Sequence, residues 1–230
     1  MNIKQWFKDY LAANAPCQSG GEDGALRAAI DLYKATGDET YRQFVLEHAV
    51  CPSAHADQEL FFLWEQTGED NDRQAIEQHM QQLRGADAPT DGKSLYAAGP
   101  FWMAYEMKCG GMEKVAAVVQ MFKAVHQSEA QPDGWQLMAL ADAIGWCREE
   151  LYEHYRALID MFRAELPAVL AHEASALVAC ALLKAVRLGV VNPEKYLPIG
   201  KRMFEALDLP GEGQCVGSYV MAYSEYLLAE

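Results

Sequence analysis

The sequence predicts an all-α fold, an (α/α)6 barrel in which six helical hairpins close into a single toroidal domain over residues 1–230. Three observations predict it. Apolar residues recur at i, i+3, i+4 and i+7 in about twelve segments, and nowhere alternate as a half-buried strand would. Every second connection is a tight turn carrying Gly or Pro, while the others are longer and rich in Cys, Asp, His and Pro. The segments themselves alternate between two kinds, one apolar on nearly all sides and one with a charged face.

Helix starts fall near residues 3, 22, 39, 54, 70, 93, 112, 133, 148, 171, 193 and 214. The first grows out of Met1-Asn2-Ile3-Lys4-Gln5-Trp6, which is polar and amphipathic and does not resemble a signal peptide. The second carries Ala25, Ala28 and Ala29, small enough for a crowded centre. Thr36-Gly37-Asp38-Glu39 turns it into the third. The fourth follows the stretch from Ala49 to Asp57, and Thr67-Gly68-Glu69-Asp70 turns it into the fifth, whose Asp70-Asn71-Asp72-Arg73 start belongs against water. The sixth contains Ser94-Leu95-Tyr96-Ala97-Ala98. Inside it Pro100 removes a backbone donor and should kink the helix, and Gly99 eases the bend. Cys109-Gly110-Gly111-Met112 leads to the seventh. The eighth (Leu137-Met138-Ala139-Leu140-Ala141) and tenth (Ser175 to Leu183) are apolar all round, whereas the ninth (Arg148 to Arg156) has a charged face. Val191-Asn192-Pro193-Glu194 opens the eleventh, and Ser218-Tyr219-Val220-Met221-Ala222-Tyr223 marks the twelfth as apolar again.

A helix hydrophobic on all sides must be surrounded by protein, so the even-numbered helices form the inner ring and the odd-numbered ones the outer ring. The long connections, Asn14 to Gly24, Ala49 to Asp57, Arg84 to Lys93, Gln127 to Gly134, Glu165 to Glu173 and Leu207 to Val216, then gather at one end. That mouth collects the N-termini of all six inner helices, whose free N–H groups and dipoles favour anions. It is the expected ligand site.

Composition narrows the partners. A net charge of -14 and a pI near 4.8 argue against nucleic acid, which is held by Lys and Arg displacing counterions from phosphate. No apolar run is both long and uncharged enough to span a bilayer, so no membrane is expected and the chain reads as cytoplasmic. The six cysteines, Cys17, Cys51, Cys109, Cys147, Cys180 and Cys215, contain no CxxC pair and read as reduced thiols. Cys17, Cys51 and Cys215 all fall in mouth connections with His55 nearby, a ligand set that suits zinc, but no zinc spacing is present and the expectation is no metal and no cofactor.

His172-Glu173-Ala174-Ser175-Ala176-Leu177, continuing through Ala181 to Gly189, Tyr196-Leu197-Pro198 and Phe204-Glu205-Ala206-Leu207, runs for about thirty-five residues. This stretch closely resembles the C-terminal signature of the unsaturated rhamnogalacturonyl hydrolases, which with the unsaturated glucuronyl hydrolases make up glycoside hydrolase families 105 and 88. Ala29-Ile30-Asp31-Leu32-Tyr33 with Thr36-Gly37-Asp38 resembles the family's first hairpin, Leu95-Tyr96 to Phe101 its central helix, and Gly134-Trp135 with Leu137 to Leu140 another. The resemblance implies a six-hairpin barrel. It also implies hydration of the C4–C5 double bond of an unsaturated uronyl sugar, with an Asp protonating the vinyl ether, so the partner is a small unsaturated oligosaccharide or another sugar. Such a donor needs a carboxyl whose pKa is raised by burial.

The chain departs from that pattern where the chemistry sits. The acid's position, two before the Leu-Tyr pair, holds Lys93, and the position of an expected arginine is taken up by Gln131-Pro132-Asp133-Gly134-Trp135. Asp91 is the surviving candidate for catalysis, and its alternative role is to cap the sixth helix. Asp133, Asp57 and Asp23 carry the same pair of readings. Trp135 either stacks on a sugar or packs in the core. Glu173 either holds substrate hydroxyls or caps, and His172 beside it is titratable. Lys93 and His55 complete the substrate-binding candidates. Two functions remain: a hydrolase using Asp91, or a catalytically inactive relative acting as a sugar-binding or protein-interaction module. The oligomeric state is left open.

Overall fold

Twelve helices form in the computed structural model, which describes residues 2–14, 24–49, 57–128, 131–148, 151–211 and 215–229, the side chains of Asp57 and Gln58 excepted. They are α1 (Ile3–Ala13), α2 (Ala25–Thr36), α3 (Glu39–His48), α4 (Asp57–Thr67), α5 (Asp70–Gly85), α6 (Gly92–Lys108), α7 (Val115–His126), α8 (Gly134–Trp146), α9 (Tyr152–His172), α10 (Ala176–Arg187), α11 (Pro193–Glu205) and α12 (Val216–Leu228). There is no strand among the described residues.

The even-numbered helices close a ring. α2 packs on α4 and on α12, α6 on α4 and α8, and α10 on α8 and α12. Each odd-numbered helix covers this ring from outside, with α3 on α2, α5 on α4, α7 on α6, α9 on α8 and α11 on α10. The sixth hairpin joins the two ends of the described chain. Trp6 of α1 meets Tyr219 of α12 edge-on, with centroids 6.0 Å apart, and Phe7 stacks on Tyr41 of α3. The ring therefore closes without a covalent link between α12 and α1.

Burial follows the sequence pattern. In α8 every residue from Gln136 to Ile144 is buried, and in α10 every one from Leu177 to Leu183. By contrast α5 buries just Ile76 and Met80 along one stripe, as a helix wetted on its other faces does. Small residues set the close approaches. A Cβ on Gly99 of α6 would lie 2.6 Å from the Phe122 ring of α7, so that packing needs glycine. The short inner-to-outer turns use left-handed backbone at Gly37 and Gly68 (φ +68 at both), a conformation that costs glycine little.

One expectation needs correction. The predicted linker from Glu165 to Glu173 does not form, because α9 continues through Pro167 to His172 and only Glu173, Ala174 and Ser175 connect it to α10. A helix-interior proline costs about 3 kcal/mol, but burial of Leu166 and Val169 on either side of it offsets that. Glu165 adds to the anchoring, since its Oε1 lies 2.7 Å from His126 Nδ1 of α7 and accepts from Gln136 Nε2 of α8 at 2.6 Å. The sixth helix spans Gly92–Lys108 with Pro100 inside it.

Candidate functional site

The inner helices all begin at one end of the ring, and the residues that start α6, α8 and α10 are tied to one another there. Asp91 caps α6: its Oδ1 accepts from the Ser94 backbone N–H at 2.8 Å, and the Ser94 hydroxyl accepts in return from the Asp91 N–H at 3.2 Å. Asp133 caps α8 through the Gln136 N–H at 2.9 Å. Glu173, from the α9–α10 connection, accepts the Gly134 N–H at 2.8 Å and the Ser175 hydroxyl at 2.6 Å. Ser175 in turn caps α10 through the Val178 N–H.

These contacts require glycine at two positions. A Cβ on Gly92 would sit 2.2 Å from Asp133 Oδ1, and one on Gly134 would sit 2.6 Å from Glu173 Oε1. Neighbouring helix starts are thus pressed together so closely that the Asp133 carboxylate lies against the start of α6 and the Glu173 carboxylate against the start of α8. The local sequence Asp-Gly, present at 91–92 and 133–134, supplies a cap and a gap at the same time.

The other candidates distribute as follows. Trp135 is half-buried, with its ring 5.2 Å from that of Tyr96 at an angle of 52°, so one aromatic pair stands just inside the helix starts. Lys93 is exposed beside Asp91. His172 is exposed, and its Nδ1 lies 2.6 Å from the Ala168 carbonyl, which makes that nitrogen the donor. Asp57 begins α4, but its side chain, like His55, Asp23, Cys17 and Cys51, lies outside what is described. Cys215 is exposed at the start of α12, and no group of three or more His, Cys, Asp or Glu residues able to hold a metal occurs among the described residues.

The electrostatics of Asp91 bear directly on catalysis. Hydrogen bonds from Ser94 hold its carboxyl below the usual range, and the group is exposed. A proton donor to a vinyl ether needs the opposite shift. The structure therefore realises the capping role of Asp91 and supplies no raised carboxyl at that position.

Beneath the aromatic pair the barrel encloses a charged layer that the sequence reading did not identify. Arg27 of α2 donates from Nε to Asp31 at 2.9 Å and from both terminal nitrogens to Asp142 of α8 at 3.1 and 3.3 Å. Lys184 of α10 also donates to Asp142, and Arg187 binds Glu225 of α12 through two bonds of 2.7 Å. Asp142 is 1 % exposed. Burial alone would push its carboxyl up, but Arg27 and Lys184 outweigh that and hold it low. Burial likewise opposes the charge on Arg27, and Asp142 with Asp31 outweighs it, so the guanidinium is more firmly protonated than usual. The signal was present in the sequence: a charge within an all-apolar helix, as in Leu140-Ala141-Asp142-Ala143 or Leu182-Leu183-Lys184-Ala185, has to be paired inside.

No family model and no curated protein matches this sequence. Solved structures do match. The chain is similar to a glycosyl hydrolase family 88 protein from Bacteroides vulgatus, with a TM-score of 0.73 and 13% identity over 97% of this chain and 96% of the other. It is also similar to a polysaccharide lyase, with a TM-score of 0.68 and 14% identity over 90% and 89% of the two chains. At such identity the likeness is one of fold, and it agrees with the six-hairpin ring built above. No helix among the described residues is long and apolar enough to cross a membrane.

Proposed function

We propose that the mouth of this barrel binds a carboxylate-bearing sugar without turning it over. The observation that carries this reading is Asp91, which is committed to a capping box and held ionised beside Lys93, the residue standing where the resembled family has its acid. Lysine there offers a cation to a uronyl carboxylate and cannot serve as a carboxylic acid. Trp135, half-buried against Tyr96, supplies an aromatic face of the kind on which a sugar ring stacks. Asp133 and Glu173, spent on the N–H groups of α8, orient that helix start and with it Trp135.

The second reading, hydration of an unsaturated uronyl sugar, is favoured by likeness of fold to a protein described as a glycosyl hydrolase of family 88. One experiment separates the two. Unsaturated galacturonyl and glucuronyl disaccharides are incubated with the protein at high concentration while the absorbance of the double bond is followed, and binding is titrated in parallel. Saturable binding that Trp135→Ala weakens, with no decay of absorbance, supports the binding reading. Decay that disappears in Asp91→Asn overturns it and establishes the hydrolase.

A further inference from the structure

A cavity of about 420 Å3 at the far end of the barrel is lined by Lys34, Lys184 and Arg187 against Asp31, Asp142 and Glu225, so its charges balance. A buried carboxylate whose balance depends on a proton lies towards the mouth, at Glu165 of α9, a residue 4 % exposed. His126, in the last turn of α7, places Nδ1 2.7 Å from Glu165 Oε1. Gln136, in the first turn of α8, donates from Nε2 to the same oxygen at 2.6 Å. One carboxylate oxygen thus pins the end of one helix and the start of the next to a third.

The other oxygen, Oε2, is buried and has no hydrogen-bond partner among the described residues. A buried carboxylate satisfied on one side alone is costly to ionise. The titratable groups that bear on it from the helices packed against α9 are His126 of α7 and Asp133 of α8, and of these His126 is the one whose charge can offset its own. Burial pushes the Glu165 carboxyl above the usual carboxylate range. The bonds from His126 and Gln136 oppose this without outweighing it, and Asp133 adds to the rise.

While the imidazole is protonated, or has passed its proton to the carboxyl, the pair is neutral as a whole. Once that proton leaves for water, a neutral imidazole faces a buried carboxylate whose charge it no longer offsets. The His126 side chain is 30 % exposed, which gives the proton its way out. A folded carboxyl with a raised pKa holds its proton more firmly than the unfolded chain does. The contribution of this contact is therefore present at low pH and lost as pH rises through the folded value.

We propose that His126, Glu165 and Gln136 form a proton-operated clasp at the junction of α7, α8 and α9, shut while His126 and Glu165 share a proton and opened when that proton is lost. Opening loosens the first turn of α8, where Trp135 directly precedes Gln136, so the clasp sets how firmly that part of the mouth is held. It works whatever the mouth binds.

The test is NMR of the full chain, without ligand, from about pH 5 to about pH 9. It follows the Glu165 carboxyl carbon and the hydrogen-exchange protection of the Gly134, Gln136 and Leu137 amides, with the buried amides of α10 as reference. Protection at the three amides should fall by about tenfold or more relative to α10 as pH rises, with the same midpoint as the carbon signal. In Glu165→Gln, which has no proton to lose, the fall should vanish. In His126→Gln, which keeps a donor but takes no charge, both midpoints should move to higher pH. The proposal is overturned if protection in the wild type is flat or rises with pH, if Glu165 titrates in the usual carboxylate range, if the fall persists in Glu165→Gln, or if His126→Gln leaves the midpoints in place. Where Glu165→Gln does not fold, the wild type and His126→Gln decide the matter by the same criteria.

Discussion

Replacing Asp142 with Asn leaves the shape of the barrel interior intact while removing the one charge that Arg27 and Lys184 share. Both cations then stand in a region from which Asp142 itself is 99 % withdrawn by burial, its exposure being 1 %, with Asp31 as the remaining carboxylate bonded to Arg27. Breaking a buried ion pair by removing one partner costs about 3–5 kcal/mol, because the uncompensated charge stays behind. For a domain of this length, each kcal/mol corresponds to roughly 2–4 °C, so the melting temperature should fall by about 6–20 °C. Urea unfolding at pH 7 with an unchanged m-value measures the loss directly. The pH dependence follows from the sign of the shift. The folded pKa of Asp142 is depressed, so its contribution is present above the ordinary carboxylate value of about 3.9 and lost as pH falls through the lower folded value. The gap between wild type and Asp142→Asn should therefore narrow in acid. Exchanging all three residues for apolar ones of similar size (Arg27→Met, Asp142→Leu, Lys184→Met) should recover much of the loss, since a buried ionic cluster is weak as a net stabiliser. An Asp142→Asn protein within about 1 kcal/mol of wild type at pH 7 would refute the reasoning.

Gly92→Ala places a methyl 2.2 Å from Asp133 Oδ1 and 2.9 Å from the Gln136 backbone nitrogen, so overpacking should destabilise by about 1–3 kcal/mol, read by thermal unfolding. Glu173→Ala removes the cap that α9–α10 lends to α8 and should cost about 0.5–2 kcal/mol in chemical denaturation, with faster hydrogen exchange at Gly134. Asp38 is held down to about 2, first by its hydrogen bond with Lys8 and then by Thr40. Its stabilising contribution is present above the ordinary carboxylate pKa and fades as pH falls towards 2, and NMR titration of the Asp38 carboxyl in Lys8→Met should show the pKa returning towards about 3.9.

The ring and its order were legible because they rest on local rules. Apolar residues at helical spacing mark the twelve helices, and turns such as Thr36-Gly37-Asp38 and Asn192-Pro193 mark where inner becomes outer. The capping half of each Asp reading was also accessible, since Asp91 and Asp133 precede helices and a short carboxylate there meets free N–H groups. The course of α9 through Pro167 was not, because a proline's local cost is visible in sequence while the burial of Leu166 and Val169 that offsets it is not. Arg27, Asp142 and Lys184 lie far apart in the chain, and nothing local says which carboxylate a buried cation will meet.

Sequence by itself determined the helices, their alternation between wet and dry environments and the end at which the inner ones begin, since each depends on residues within a few turns of one another. Only the tertiary structure decided that Glu173 is spent on the neighbouring start of α8, that Arg27, Asp142 and Lys184 meet inside the barrel and that a cavity lined by charged residues opens at the far end. Those depend on distances across the ring, which are set by the packing of small residues such as Gly92, Gly99 and Gly134 and not by spacing along the chain.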